Sequence, residues 1–128
     1  MEAGESGCET AGRVLVIDDA PEIRSLFRTV LRLDHPEVEV TEAESGEAAL
    51  EILIDLRPDA VIVDSVMGGM DGIELVHHLR DRCPASRIVM FSSLPYGEVA
   101  DLARAEGADA FVEKTQGYES ALAALGFS

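Results

Sequence analysis

Short apolar runs alternate with helical stripes along most of this chain. Val14-Leu15-Val16-Ile17 is a continuous apolar run, the pattern of a strand buried on both faces. Pro21 opens a helix at a position where its missing N–H costs nothing. Ile23, Leu26, Phe27, Val30 and Leu31 then form the stripe of a helix packed on one side. Val38 and Val40 alternate with Glu39 and Thr41, which predicts a half-exposed strand at a sheet edge. Ser45 caps the next helix, whose buried stripe is Ala49, Ile52, Leu53 and Leu56, with Pro58 after its end. Ala60-Val61-Ile62-Val63 predicts a central strand that ends at Asp64. After the Gly68-Gly69 loop, Asp71 with Glu74 three residues on starts a helix in the manner of a capping box, striped by Ile73, Val76 and Leu79. Ile88-Val89-Met90-Phe91 predicts a further buried strand, ending at Ser92-Ser93. A helix from about Pro95 to Glu106 turns Val99, Leu102 and Ala103 inward and stops at Gly107. Ala110-Phe111-Val112 is a short last strand ending near Lys114, and Tyr118 to Leu125 closes the chain as a helix.

Five strands alternating with five helices imply an α/β fold, a parallel sheet covered by helices on both faces. The length of 128 residues suits one domain. Met1 to Gly12 is rich in Gly, Glu and Ser without periodicity and is expected to be a flexible tail, leaving residues 13–128 as the domain. No apolar run approaches the roughly 20 residues that span a bilayer, and the N-terminus lacks the basic start of a secretory signal. A cytoplasmic protein is expected.

Charge narrows the partners. The 25 acidic residues outnumber the 10 basic ones, a formal net charge of −15. That excess disfavours nucleic acid and anionic membrane surfaces, and is compatible with a divalent cation or a positively charged partner. Cys8 and Cys83 are isolated, so no zinc site is indicated. His35, His77 and His78 lack metal-ligand spacing and read as surface or half-buried residues.

The candidate chemistry lies where polar residues end the strands. Asp18 and Asp19 follow the first strand, Asp64 the third, Ser92 the fourth and Lys114 the fifth. In a parallel sheet these ends share one edge, where open α/β sheets bind ligands. Crowded carboxylates repel one another and call for a cation, and hard oxygen ligands suit Mg²⁺. A carboxylate can also attack phosphorus to give an aspartyl phosphate. Lys114 would pair with its oxygens and Ser92 would donate a hydrogen bond. Taken singly, each residue has a plainer reading. Asp18 and Asp19 could cap a helix, Asp64 and Ser92 could sit in turns, Lys114 could be solvated, and Phe111 could be core. Their joint placement at successive strand ends favours the chemical reading.

Asp18-Asp19, Asp64-Ser-Val-Met-Gly-Gly-Met-Asp-Gly72, Phe91-Ser92-Ser93 and Gly107-Ala-Asp-Ala-Phe-Val-Glu-Lys114 together resemble response regulator receiver domains, over residues 13 to 125. The resemblance implies a (βα)5 flavodoxin-like sheet of order 2-1-3-4-5. It also implies a phosphoacceptor rather than an enzyme, with Asp64 taking a phosphoryl group from a sensor histidine kinase or a histidine phosphotransfer protein. Asp19 and Asp64 would hold Mg²⁺ directly, Asp18 through water and Val66 through its backbone carbonyl. Lys114 and Ser92 would bind the phosphoryl group. Ser92 and Phe111 would form the switch pair that remodels the face of the fourth helix, fifth strand and fifth helix for a downstream protein target. The chain departs from the family in having Gly68 where proline is usual, Ser92 where threonine is frequent, and Thr115 where proline follows the lysine in a cis peptide. A cis bond before a non-proline residue costs ~3 kcal/mol, so a trans bond and a different local path are expected at Thr115. Val66 and Leu94 flank the expected phosphate mouth and carry no group to orient water, which implies slow self-dephosphorylation. Two other readings are a phosphate-independent pseudo-receiver and a phosphatase or flavin carrier on the same sheet. Asp-Asp-Ala-Pro stands where a phosphate-cradling loop would follow the first strand, which disfavours the latter.

Overall fold

Three apolar runs lie wholly inside the protein. A computed structural model describes residues 12–95 and 97–127, and in it the strands β1 (Arg13–Ile17), β3 (Ala60–Val63) and β4 (Arg87–Ser92) are buried almost throughout. They are flanked by β2 (Glu39–Ala43) and β5 (Ala110–Glu113). All pairings are parallel, in the order β2-β1-β3-β4-β5. This is the 2-1-3-4-5 order that the resemblance implied. The alternating Val38–Thr41 segment does lie at an edge. The continuous apolar runs take central places because helices cover both faces there.

The helices are α1 (Pro21–Asp34), α2 (Gly46–Ile52), α3 (Gly72–Arg82), α4 (Gly97–Glu106) and α5 (Tyr118–Leu125). Strand periodicity divides the core in two. Val14, Val16, Ile62 and Val89 face α1 and α5, where Phe27, Leu31, Leu122 and Leu125 meet them. Leu15, Ile17, Val61, Val63, Ile88 and Met90 face the side of α2, α3 and α4. Two helix starts follow the sequence signals. The Ser45 side chain accepts the Ala48 N–H at 3.0 Å, and Asp71 accepts the Glu74 N–H at 2.9 Å. Helix α1 begins with Pro21 after Ala20 and has no side-chain cap, so neither Asp18 nor Asp19 serves it that way.

Two expectations are corrected, and a third lies almost wholly outside the described residues. Leu102 faces outward, 55% exposed, while Ala100 and Ala103 are fully buried. A helix advances about 100° per residue, so a face centred on Val99, Ala100 and Ala103 leaves Leu102 about 100° beyond Ala103. Leu56 is not part of the α2 stripe, because α2 ends at Ile52 and Leu56 lies in the turns that follow. The expected tail falls outside the described residues except at Gly12, and Gly12 is tied in. Its N–H donates to Asp59 at 3.0 Å and its carbonyl accepts the Glu39 N–H at 2.9 Å. Among the described residues no helix is long and apolar enough to cross a membrane.

Candidate functional site

The register of the sheet delivers the acidic residues to one place. Ile17 pairs with Val63, so the residues that follow them emerge side by side. Backbone bonds carry the pattern one step past the strands. The Asp64 N–H donates to the Ile17 carbonyl at 3.0 Å, and the Asp18 N–H to the Ala43 carbonyl at 3.1 Å. Asp18 and Asp64 are buried, whereas Asp19 is exposed. Oxygens of all three carboxylates lie within 4.8 Å of one another.

Lys114, the chain's only lysine, enters the same space from the end of β5. Its Nζ is 3.1 Å from Asp18 Oδ2 and 3.7 Å from Asp64 Oδ1. The Lys114–Thr115 peptide is trans, as expected, and the chain leaves β5 in a 3-10 turn over Lys114–Gln116. Asp18 is braced further. Its Oδ1 accepts the Ala20 N–H at 2.9 Å, and its carbonyl accepts from the Arg24 guanidinium at 2.6 Å. Among the described residues Asp64 has, beside the lysine, a long contact of 3.5 Å from the Val66 N–H.

Burial therefore pushes the Asp64 carboxyl above the usual carboxylate range, and the negative charge of Asp18 adds to it. Lys114 and the Val66 N–H oppose the rise, while Asp19 contributes a smaller push upward. Three carboxylates against one ammonium leave two negative charges unmatched, the charge of one divalent cation. The donor set offers carboxylate oxygen and neither nitrogen nor sulfur, which fits Mg²⁺.

A glycine sets how closely the next element approaches. The Gly72 N–H donates to the Ser65 carbonyl at 3.0 Å. A Cβ at Gly72 would stand 1.9 Å from the Asp64 carbonyl oxygen, so no side chain fits there. The start of α3 is thereby held against the backbone of the acidic residue itself.

Not every expected site residue joins the carboxylates. The Ser92 hydroxyl accepts the Leu94 N–H at 3.0 Å and is hydrogen-bonded to the hydroxyl of Ser65. Both serines are buried. Phe111 is also buried, in the core on the α2–α3–α4 side. Its ring thus lies inside while Ser92 remains engaged with Ser65. Val66 is 52% exposed and Leu94 half-buried at the mouth of the site. The sequence reading missed Ser65. Period two along β3 and β4 held the signal, because Ser65 continues the series Val61, Val63, and Ser92 continues Ile88, Met90.

The comparisons with known proteins agree with this geometry. The response regulator receiver domain family matches residues 14–125. The nitrate/nitrite response regulator NarL of Escherichia coli is 34% identical over 112 residues, which cover 88% of this chain and 52% of that protein. A response regulator from Burkholderia pseudomallei, solved with a phosphorylated aspartic acid, a calcium ion and citrate, superposes with a TM-score of 0.75 at 30% identity, covering 88% of this chain and 65% of that one. TrrA from Thermotoga maritima, solved in complex with Mg²⁺–BeF, gives a TM-score of 0.72 at 29% identity, covering 88% and 98%. The chain spans about half the length of NarL and less of other curated relatives that it matches.

Proposed function

The chain belongs to the response regulator receiver domain family, and we propose that Asp64 is the residue on which it accepts a phosphoryl group, from a sensor histidine kinase or a histidine phosphotransfer protein. One observation carries this reading: three carboxylates meet at one point, a single lysine bridges the two buried ones, and of those two Asp64 has the fewer bonds among the described residues.

In this reading the ionised Asp64 oxygen attacks phosphorus as the P–N bond of phosphohistidine breaks. Asp19 and Asp64, with Asp18 acting through water and the Val66 carbonyl, would hold Mg²⁺, which would supply positive charge for the transferring group. Lys114, within ion-pair distance of both Asp18 and Asp64, would meet the new phosphoryl oxygens. Ser92 turns its hydroxyl toward one of them, and the Phe111 ring already lies inside. The remodelled face is that of α4, β5 and α5, and its target is a protein, since a net charge of −15 repels nucleic acid. Residues 13–128 act as the unit, in the cytoplasm, as a phosphoacceptor that assists its own phosphorylation rather than as an enzyme with a separate substrate.

Incubation with acetyl phosphate and Mg²⁺, followed by a phosphate-affinity gel, tests the assignment. Wild type should give a retarded band that Asp64→Asn lacks. A band absent from both, or equal in both, removes Asp64 from the role. A phosphate-independent interaction module on the same fold predicts the first of those failures.

A further inference from the structure

We propose that Ser65 is a positioning residue that holds the switch hydroxyl of Ser92 in its resting place, so that the Ser65–Ser92 bond sets how readily the domain switches. The inference rests on the phosphoacceptor reading and extends it to a residue outside the phosphate site.

Alternation along the strands supplies the geometry. Val61 and Val63 face the core under α2, α3 and α4, and Ser65 follows in that series. Ile88 and Met90 face the same core, and Ser92 follows them. Ile62 faces the opposite core, and Asp64 follows it. The Ser65 and Ser92 hydroxyls therefore meet on the side away from the Asp64 series. Ser65 also lines an open groove of about 780 Å³ between α3 and α4, together with Leu94, Leu102 and His77.

The Ser92 hydroxyl has one proton and two lone pairs. The Leu94 N–H occupies one lone pair, and Ser65 takes either the proton or the other lone pair. Movement toward a phosphoryl oxygen on Asp64 draws Ser92 off Ser65. The bond thus exists in the resting state and is forfeited in the switched one, and it biases the equilibrium toward rest. Ser65 is itself buried at the lining of the groove, so release deprives its hydroxyl of the partner it has at rest, which adds to that bias. Removing the Ser65 hydroxyl costs the resting state a bond and the switched state none.

Titration of the full chain with beryllofluoride in saturating Mg²⁺, followed by ¹⁹F NMR, reads the bias directly. Ser65→Ala should bind about threefold to tenfold more tightly than wild type, the range expected for one net hydrogen bond. Ser65→Thr, which keeps the hydroxyl, should return close to wild type. In a Ser92→Ala background, Ser65→Ala should change nothing, because the partner is already gone. Binding by Ser65→Ala that equals or falls below wild type overturns the proposal. So does a threonine variant that behaves like alanine, or a gain that persists without the Ser92 hydroxyl. No beryllofluoride binding by wild type overturns the phosphoacceptor reading itself, and this inference with it.

Discussion

Where the strands begin, Asp59 accepts the N–H groups of Gly12 and Arg13 at 3.0 and 2.9 Å, and Asp109 accepts the Ile88 N–H and the Arg80 guanidinium, both at 2.8 Å. Arg80 also donates to the carbonyls of Gly107, Pro84 and Ser86. Where the strands end, three carboxylates cluster and one lysine bridges two of them, Asp18 and Asp64. Both rims belong to the same sheet and both are rich in aspartate. At the first, each carboxylate named meets backbone donors within 3.0 Å, so its charge is absorbed by the fold and strengthens it. At the second, backbone donors are few and the charge is left over, which costs stability and leaves the site ready for a cation and a phosphoryl group. Abundance of acidic residues does not separate structure from function here; their supply of local donors does.

The sharpest way to break this comparison is Lys114→Ala. Removal of the single cation should slow phosphorylation by acetyl phosphate about 10²-fold, the scale of losing one preorganised donor to a developing charge. Initial rates on phosphate-affinity gels measure it, and an unchanged rate would place Lys114 with the solvated residues. Arg80→Ala should do the reverse. It takes a guanidinium donor from three carbonyls and leaves Asp109 with the Ile88 N–H alone among the donors named, and should lower stability by about 2–3 kcal/mol in urea melts, while phosphorylation of the folded protein stays within about twofold of wild type. Slowed chemistry in that variant would mean that the rims are not independent.

The smallest effect sharpens the idea of surplus charge. Asp64→Asn should stabilise the protein by about 1 kcal/mol at neutral pH in chelator, raising the melting midpoint by about 4 °C. The sign follows from the raised carboxyl. The folded protein binds the Asp64 proton more tightly than the unfolded chain does, so that stability is full below the usual value of 3.8. It is lost as pH rises through the higher folded value. The asparagine variant escapes that loss, so its advantage should vanish in acid. Saturating Mg²⁺ should also erase it, by stabilising wild type alone. A variant less stable than wild type at neutral pH without metal would contradict the surplus.

Much of this was legible in the chain because the signals were local. Unbroken apolar runs marked β1, β3 and β4, and the polar residue after each run marked the functional rim. Ser45 and Asp71 announced their helices by a single side-chain oxygen. The misses share a different cause, since packing rather than composition decided them. Leu102 has the hydrophobicity of a core residue, yet α4 seats itself through Ala100 and Ala103, whose small size no hydrophobic count rewards. Arg80 gathers partners up to 29 residues away, and nothing near it in sequence marks it as a junction. Ser65 looked like filler in the Asp64 motif until its face of the strand was considered.

Arg80 has one more consequence. By gripping the Gly107 carbonyl, with its own side chain where a Cβ of that glycine would stand, it moors the tail of α4. The head of that helix follows Ser92 and Leu94, where the proposed switch would change the hydroxyl contacts. A helix fastened at its tail and nudged at its head behaves as a lever about a fulcrum. Leu102, halfway along and pointing out, would sweep an arc across the groove instead of sliding. Arg80→Ala would remove that fulcrum and let the whole rod drift.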